Sequence, residues 1–154
     1  MQIIEIIDIS DKSDICNLVL WALPNWFGIE KSIVDYVDTV REMPFFAVFD
    51  DKMAIGFVAL KIHNEYTAEI YVMGILEEYH KQGIGKKIVA TCEEHCKENN
   101  IEFLTVKTLA ELREDENYRK TRLFYQAMGF KPLEIFETLW GEANPCLFLV
   151  KYLK

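Results

Sequence analysis

The chain has 154 residues, 51% of them hydrophobic and 27% charged, with a formal net charge of -8 at pH 7. That length suits one ordinary domain with its own core, and the composition excludes a disordered or low-complexity chain. The acidic balance argues against nucleic acid or an anionic membrane as the main partner and suits a cationic, amine-bearing one; no apolar run approaches the roughly 20 residues that span a bilayer.

Residues 2–9 are rich in Ile and weakly alternating, which reads as a first strand rather than a signal peptide and implies a cytoplasmic protein. Asp11 stands where it can cap a helix with Ile15, Leu18, Val19 and Ala22 on one face, and Pro24 forbids its extension. The loop Asn25-Trp26-Phe27-Gly28 holds two large aromatics, which either pack over the core or wall a pocket. A second helix carries Ile29, Ile33, Tyr36, Val37 and Val40 at helical spacing and stops before Pro44.

Residues 45–49 and 54–62 are apolar runs joined by the turn Asp50-Asp51-Lys52, hence a hairpin, and Asn64-Glu65 turns the chain into a further strand at Thr67–Ile75. Short turns between sequential strands favour an antiparallel meander. The helix predicted over Ile84–Glu98 ends at Asn99-Asn100, and residues 102–108 form a β-branched strand. Strand, helix, strand is a crossover unit, so the sheet is parallel at this point. Residues 109–117 are charged and aperiodic and read as a surface loop. A helix over residues 118–128 presents Thr121, Phe124, Tyr125 and Met128 on one face and stops at Gly129. Residues 131–139 and 146–153 make two last strands. With no repeats or linkers, residues 1–154 are expected to form a single domain.

Of the four cysteines, Cys92 and Cys96 lie one helical turn apart beside His95, a spacing that soft-metal ligands use. Ile84, Ile88, Cys92 and Cys96 nevertheless form one i, i+4 stripe, which is how a core face reads, so no metal is expected.

The stretch from Ala68 to Cys96 carries the chemistry. It runs from a strand through Gly83-Ile84-Gly85 into an amphipathic helix, leaving backbone N–H groups pointing outward with the helix dipole behind them. Such a turn holds an anion, and Lys81, Lys86 and Lys87 add local positive charge. A dinucleotide fingerprint requires a third glycine where Ile88 stands, and a P-loop requires Ser or Thr where Lys87 stands.

His80-Lys81-Gln82-Gly83-Ile84-Gly85 resembles the Arg/Gln-x-x-Gly-x-Gly/Ala signature of the GCN5-related N-acetyltransferase superfamily, whose turn holds the pyrophosphate of acetyl-CoA. The lead-in Gly74-Ile75-Leu76-Glu77-Glu78-Tyr79 is typical of that family, and Phe124-Tyr125-Gln126-Ala127-Met128-Gly129-Phe130 resembles its later Tyr-x-x-x-Gly-Phe segment. His80 departs from the usual Arg or Gln. Tyr118 falls where many members carry Asn, with Asn117 adjacent, and both stay open for that role.

The resemblance implies a mixed α+β fold in three layers, its central sheet mostly antiparallel with a splayed parallel pair, and one biochemical activity. That activity is acetyl transfer from acetyl-CoA to a primary amine of a small molecule or peptide; the alternative is an acyl-CoA-binding module without catalysis. By the same resemblance the cofactor is held by His80, Lys81, Gln82, Gly83, Ile84, Gly85 and Lys86, by the backbone at Met73 and Ile75, and by Thr121 and Phe124. Transfer needs a neutral amine, an activated thioester and a proton for the leaving thiolate. The resemblance makes Tyr125 the acid. Glu69, eleven positions before His80 and at the offset of the catalytic glutamate in histone-type members, is the base to watch. Period-two alternation sets Glu69, Tyr71 and Met73 on one strand face, and the acceptor is expected against Trp26, Phe27, Tyr71 and Trp140. Relatives often dimerise, and the residues leave a homodimer open.

Overall fold

The computed structural model describes all 154 residues. The elements are β1 (Gln2–Glu5), α1 (Ile9–Trp21), α2 (Glu30–Thr39), β2 (Phe45–Asp50), β3 (Met53–Ile62), β4 (Thr67–Ile75), α3 (Ile84–Glu98), β5 (Phe103–Leu109), α4 (Glu116–Ala127), β6 (Lys131–Phe136) and β7 (Cys146–Tyr152). Short 3-10 turns occupy Val40–Glu42 and Glu77–Tyr79. The seven strands form one mixed sheet in the order β1-β2-β3-β4-β5-β7-β6. Neighbours β1 and β2, β2 and β3, β5 and β7, and β6 and β7 are antiparallel, whereas the crossover through α3 makes β4 and β5 parallel. No helix is long and apolar enough to cross a membrane.

By compactness the chain divides into two units. One comprises Met1–Ile62 with Ile70–Cys92, the other His63–Glu69 with Glu93–Lys154. Strand β4 and helix α3 each contribute residues to both.

The first unit is built on Phe45 and Phe57, fully buried and stacked with ring centroids 5.1 Å apart. Burying each such ring stabilises the fold by roughly 2–3 kcal/mol. Cys16, Val19 and Leu20 of α1 and Ile33 of α2 close the same core. Gly74 is what lets α1 approach: a Cβ added there would come within 3.0 Å of Val19 Cγ1 and 3.2 Å of Leu23 Cδ1. Lys12, buried on α1, donates from Nζ to the Met43 carbonyl at 2.7 Å, so its ammonium keeps a partner inside.

The second unit is organised by β7, whose register pairs Lys107 with Phe148 and Phe103 with Tyr152. Thr105 Oγ1 donates to the Ala68 carbonyl at 3.1 Å, tying β5 to the first residues of β4. Lys151 Nζ meets Glu93 at 2.9 Å. Pro132 lies on β6, an edge strand whose register shifts between Pro132 and Glu134, where a missing N–H is tolerated.

Several boundaries differ from the sequence reading. The first strand ends at Glu5, and the cap of α1 is Asp8 rather than Asp11, because Asp8 is extended and its Oδ1 accepts the Asp11 N–H at 2.9 Å. Asp11 is therefore inside the first turn, where its N–H donates to the cap. The predicted loop over residues 109–117 is shorter at both ends: Leu109 closes β5, and Asp115 caps α4 by accepting the Tyr118 N–H at 3.1 Å, which makes Glu116 and Asn117 helical. Strand β6 stops at Phe136, short of residue 139.

Candidate active site

In the first unit, the turn leading into α3 has left-handed backbone at Lys81 (φ 63°) and Gly83 (φ 78°). Gly83 is required by its dihedral, and the space over it is open, since an added Cβ would meet no atom within 4 Å. Lys87 N–H reaches back to the Gly83 carbonyl at 3.3 Å. The amides of Ile84, Gly85 and Lys86 precede any intrahelical acceptor, so they are free by helix geometry to face a ligand. No acidic residue occupies the first turn of this 15-residue helix, and Lys81, Lys86 and Lys87 are exposed beside it. Open backbone, unopposed dipole and positive surroundings together fit a phosphate-bearing group.

Neighbouring side chains hold the turn in this shape. Tyr79 donates its hydroxyl to Asp50 Oδ2 at 2.7 Å, and that hydrogen bond is the main reason its own pKa is raised. His80 Nε2 lies 2.6 Å from the Ile75 carbonyl; a carbonyl only accepts, so Nε2 carries the hydrogen. The His80 ring is also in edge contact with Trp26 at 5.3 Å. The residue that departs from the family signature is thus used in bracing the turn against the end of β4. Lys81 and Gln82 remain exposed, and Ile84 is buried at the start of the α3 core stripe with Ile88, Cys92 and Cys96.

The aromatic residues of this unit are linked in series. Phe27 meets Tyr36 edge-on at 6.1 Å, and Tyr36 meets Tyr71 at 5.3 Å. Trp26, Phe27, Tyr36 and Tyr71 are all partly buried against the core, with part of each ring left accessible. Trp26 and Phe27 thus pack inward over the core, the first of the two readings their loop allowed. Tyr36 packs against the same core, as its helical spacing implied. Met73 and Ile75 are half-buried on β4.

In the second unit, Glu69 is 4% exposed. Its Oε1 lies 2.7 Å from His63 Nε2 and 3.0 Å from Lys107 Nζ, and its Oε2 lies 3.1 Å from Lys107 Nζ. Lys107 also sits over the Phe148 ring, 5.5 Å from its centroid. Both carboxylate oxygens thus have cationic or donor partners, as a buried carboxylate requires. Cys146 on β7 is close enough to feel both charges, but burial is the larger influence and pushes its thiol up to about 11. His63 and Lys107 are absent from the sequence-based set of site residues. His63 lies just outside β4, and Lys107 becomes a neighbour only through the parallel pairing; the one available signal was the alternation Thr105, Lys107, Leu109 along β5.

Also in this unit, Tyr125 on α4 is 5% exposed and in edge contact with Phe124 at 5.3 Å and Phe130 at 5.6 Å. The preceding Arg122 is buried and donates to the Leu109 carbonyl at 2.8 Å, fastening α4 to the end of β5. Thr121 is half-buried and donates to the Asn117 carbonyl at 3.1 Å. Burial first, then the Asp115 charge, pushes the Tyr118 hydroxyl up to about 12. Thr108 Oγ1 on β5 is buried without a hydrogen-bond partner in the protein. Trp140 lies on the connection between β6 and β7 and is 41% exposed.

A depression of about 490 Å³ in the first unit, lined by Asp38, Thr39, Glu42, Met43, Pro44, Leu60, Lys61 and Ile62, contains none of these residues.

Comparison with known proteins gives a consistent picture. The model of the acetyltransferase (GNAT) family matches residues 13–130, about three quarters of the chain. The uncharacterized N-acetyltransferase CT2212 of Chlorobaculum tepidum is 24% identical over 121 residues, which are 77% of this chain and 70% of that protein. An acetyltransferase assigned to the GNAT family from Desulfovibrio desulfuricans superposes with a TM-score of 0.85 at 13% identity, covering 99% of both chains. An aminoglycoside 6'-N-acetyltransferase solved with coenzyme A superposes with a TM-score of 0.78 at 16% identity, covering 100% of this chain and 98% of the other. At such identities the two structures speak for the fold.

Proposed function

We propose that this chain, which belongs to the GNAT acetyltransferase family, moves the acetyl group of acetyl-CoA to a primary amine of a small molecule or peptide. The observation that carries this reading is the turn before α3, with a left-handed Gly83, open space above it and an opposing acid-free helix start. Acetyl-CoA supplies an acyl carbon already activated as a thioester. The chain would hold its phosphates on the amides of Gly83 to Lys86, with Lys81 and Lys86 adding charge, and its pantetheine arm along the main chain at Met73 and Ile75. The unpaired Thr108 hydroxyl gives β5 one polar contact still to be made.

Tyr125 serves as the acid for the departing sulfur, held on α4 by the Arg122 tie to Leu109 and by the flanking Phe124 and Phe130 rings. The proton of the amine is removed at the buried Glu69 cluster. Trp26, Phe27 and Tyr71 offer aromatic faces to a cationic acceptor, which the net charge of -8 also favours. One structural neighbour is an aminoglycoside acetyltransferase, and polyamine-like cations are the first acceptors to try.

Two measurements test this. Coenzyme A should raise the Tm, because a ligand that binds only the native state must stabilise it. Acetyl-CoA with a panel of primary amines should release thiol. A Tm shift without thiol release would leave an acyl-CoA-binding module, and the absence of both would remove the reading.

A further inference from the structure

The Glu69 cluster has a direction that the family resemblance does not supply. Glu69 is almost wholly inside, its side chain 5% exposed, whereas the His63 side chain is 32% exposed. Lys107 contacts both carboxylate oxygens, at 3.0 and 3.1 Å, which favours an ionised carboxylate able only to accept. His63 Nε2, 2.7 Å from Oε1, must then carry a hydrogen and donate it. A neutral imidazole with its hydrogen on Nε2 has its lone pair on Nδ1. The carboxylate therefore fixes the tautomer of the imidazole, and Lys107 fixes the carboxylate.

We propose that His63 Nδ1 is the atom that accepts the proton of the acceptor amine, with Glu69 and Lys107 as positioning residues. This rests on the transferase reading above. The steps balance as follows: the ammonium loses one proton to His63 Nδ1, and the amine nitrogen's lone pair forms the N–C bond to the acetyl carbon. The C–S bond breaks with its electron pair on sulfur, and that sulfur takes a proton from the Tyr125 hydroxyl. The new amide nitrogen sheds its second proton to water, Tyr125 regains one from solvent, and His63 discharges its proton to solvent through its exposed edge. One proton is released overall. The imidazolium formed on His63 is stabilised by the Glu69 carboxylate at 2.7 Å. Of the charged and titratable groups, Glu69 from β4 contacts it directly, Lys107 from β5 meets the same carboxylate, and Cys146 from β7 lies within reach of the charges of Glu69 and Lys107.

His63→Gln separates this role from a structural one, because Gln keeps an N–H for Glu69 and has no lone pair that titrates. Thiol release from acetyl-CoA, read as kcat/KM against pH, should fall on the order of 10²–10⁴-fold at neutral pH in H63Q. The fall should shrink at alkaline pH, where amines lose their proton unaided, and one ionisation should vanish from the acid limb. Retention of the parent kcat/KM within threefold at every pH would overturn the proposal while leaving the transferase reading intact. No thiol release by the unaltered chain with any amine, with no CoA-induced Tm shift, would overturn both. An independent readout is the imidazole tautomer in ¹⁵N-histidine spectra, with H63Q identifying the His63 signals among the three histidines. Hydrogen on Nε2 is expected. Hydrogen on Nδ1 would overturn the assignment whatever the kinetics.

Discussion

The turn before α3 and the cluster around Glu69 do their work with different parts of the polypeptide. The turn is made of main chain: a left-handed Gly83, helix-start amides without intrahelical acceptors, and an open approach. Its side chains, Lys81 and Gln82, lie outside it. The cluster is made of side chains from three separate segments, His63, Glu69 and Lys107, meeting at 2.7–3.1 Å. A main-chain site depends on dihedral angles and tolerates substitution at most positions; a side-chain site fails when any one member is lost.

Substitutions can break or sharpen that contrast. After His63→Gln, the largest effect is expected from Glu69→Gln, which should lower kcat/KM at pH 7 by about 10²-fold and recover toward high pH. An equal loss at every pH would count against a part in proton removal. Next, Lys107→Ala should lower stability by about 2–3 kcal/mol, because it leaves the buried Glu69 carboxylate with the imidazole alone. Adding Glu69→Gln to it should restore part of that loss, and strict additivity in the double-mutant cycle would deny the coupling.

Gly83→Ala should cost about 1–2 kcal/mol from left-handed backbone strain, and the Tm shift given by coenzyme A should shrink with it. If that shift survives intact, the main chain at Gly83 is not part of the donor site. The smallest effect is expected from Lys81→Gly, where relief of the left-handed lysine (φ 63°) roughly offsets the entropy of a new glycine. Stability should move by less than about 0.5 kcal/mol, and CoA affinity by less than about fivefold, as for the loss of one screened surface charge. A large loss of affinity would show that charge rather than backbone carries the turn.

Much of the architecture was legible before any coordinates. Strand Thr67–Ile75 and helix Ile84–Glu98 have the predicted bounds, because period-two and period-3.6 apolar patterns and a Gly-containing boundary are local signals. The α3 stripe of Ile84, Ile88, Cys92 and Cys96 is core, as its spacing implied. Helix starts were read less well. Asp8 and Asp11 are three apart, either can cap, and only the backbone angle decides which side chain meets which amide.

For the candidate site the division is sharper. The anion-holding turn could be read directly, since the glycines, lysines and helix start that make it are contiguous in the chain. Glu69 could be singled out by position, but its burial and partners could not, because an isolated Glu in a strand is as easily solvated as enclosed. His63 and Lys107 lie 44 residues apart in the numbering and become neighbours of one carboxylate only through β4 pairing. By itself, the sequence determined what short-range order can encode: element types, the turn and the family signature. Tertiary structure alone decided which polar groups share a desolvated space, because that depends on strand register and pairing across the sheet, which no local pattern specifies.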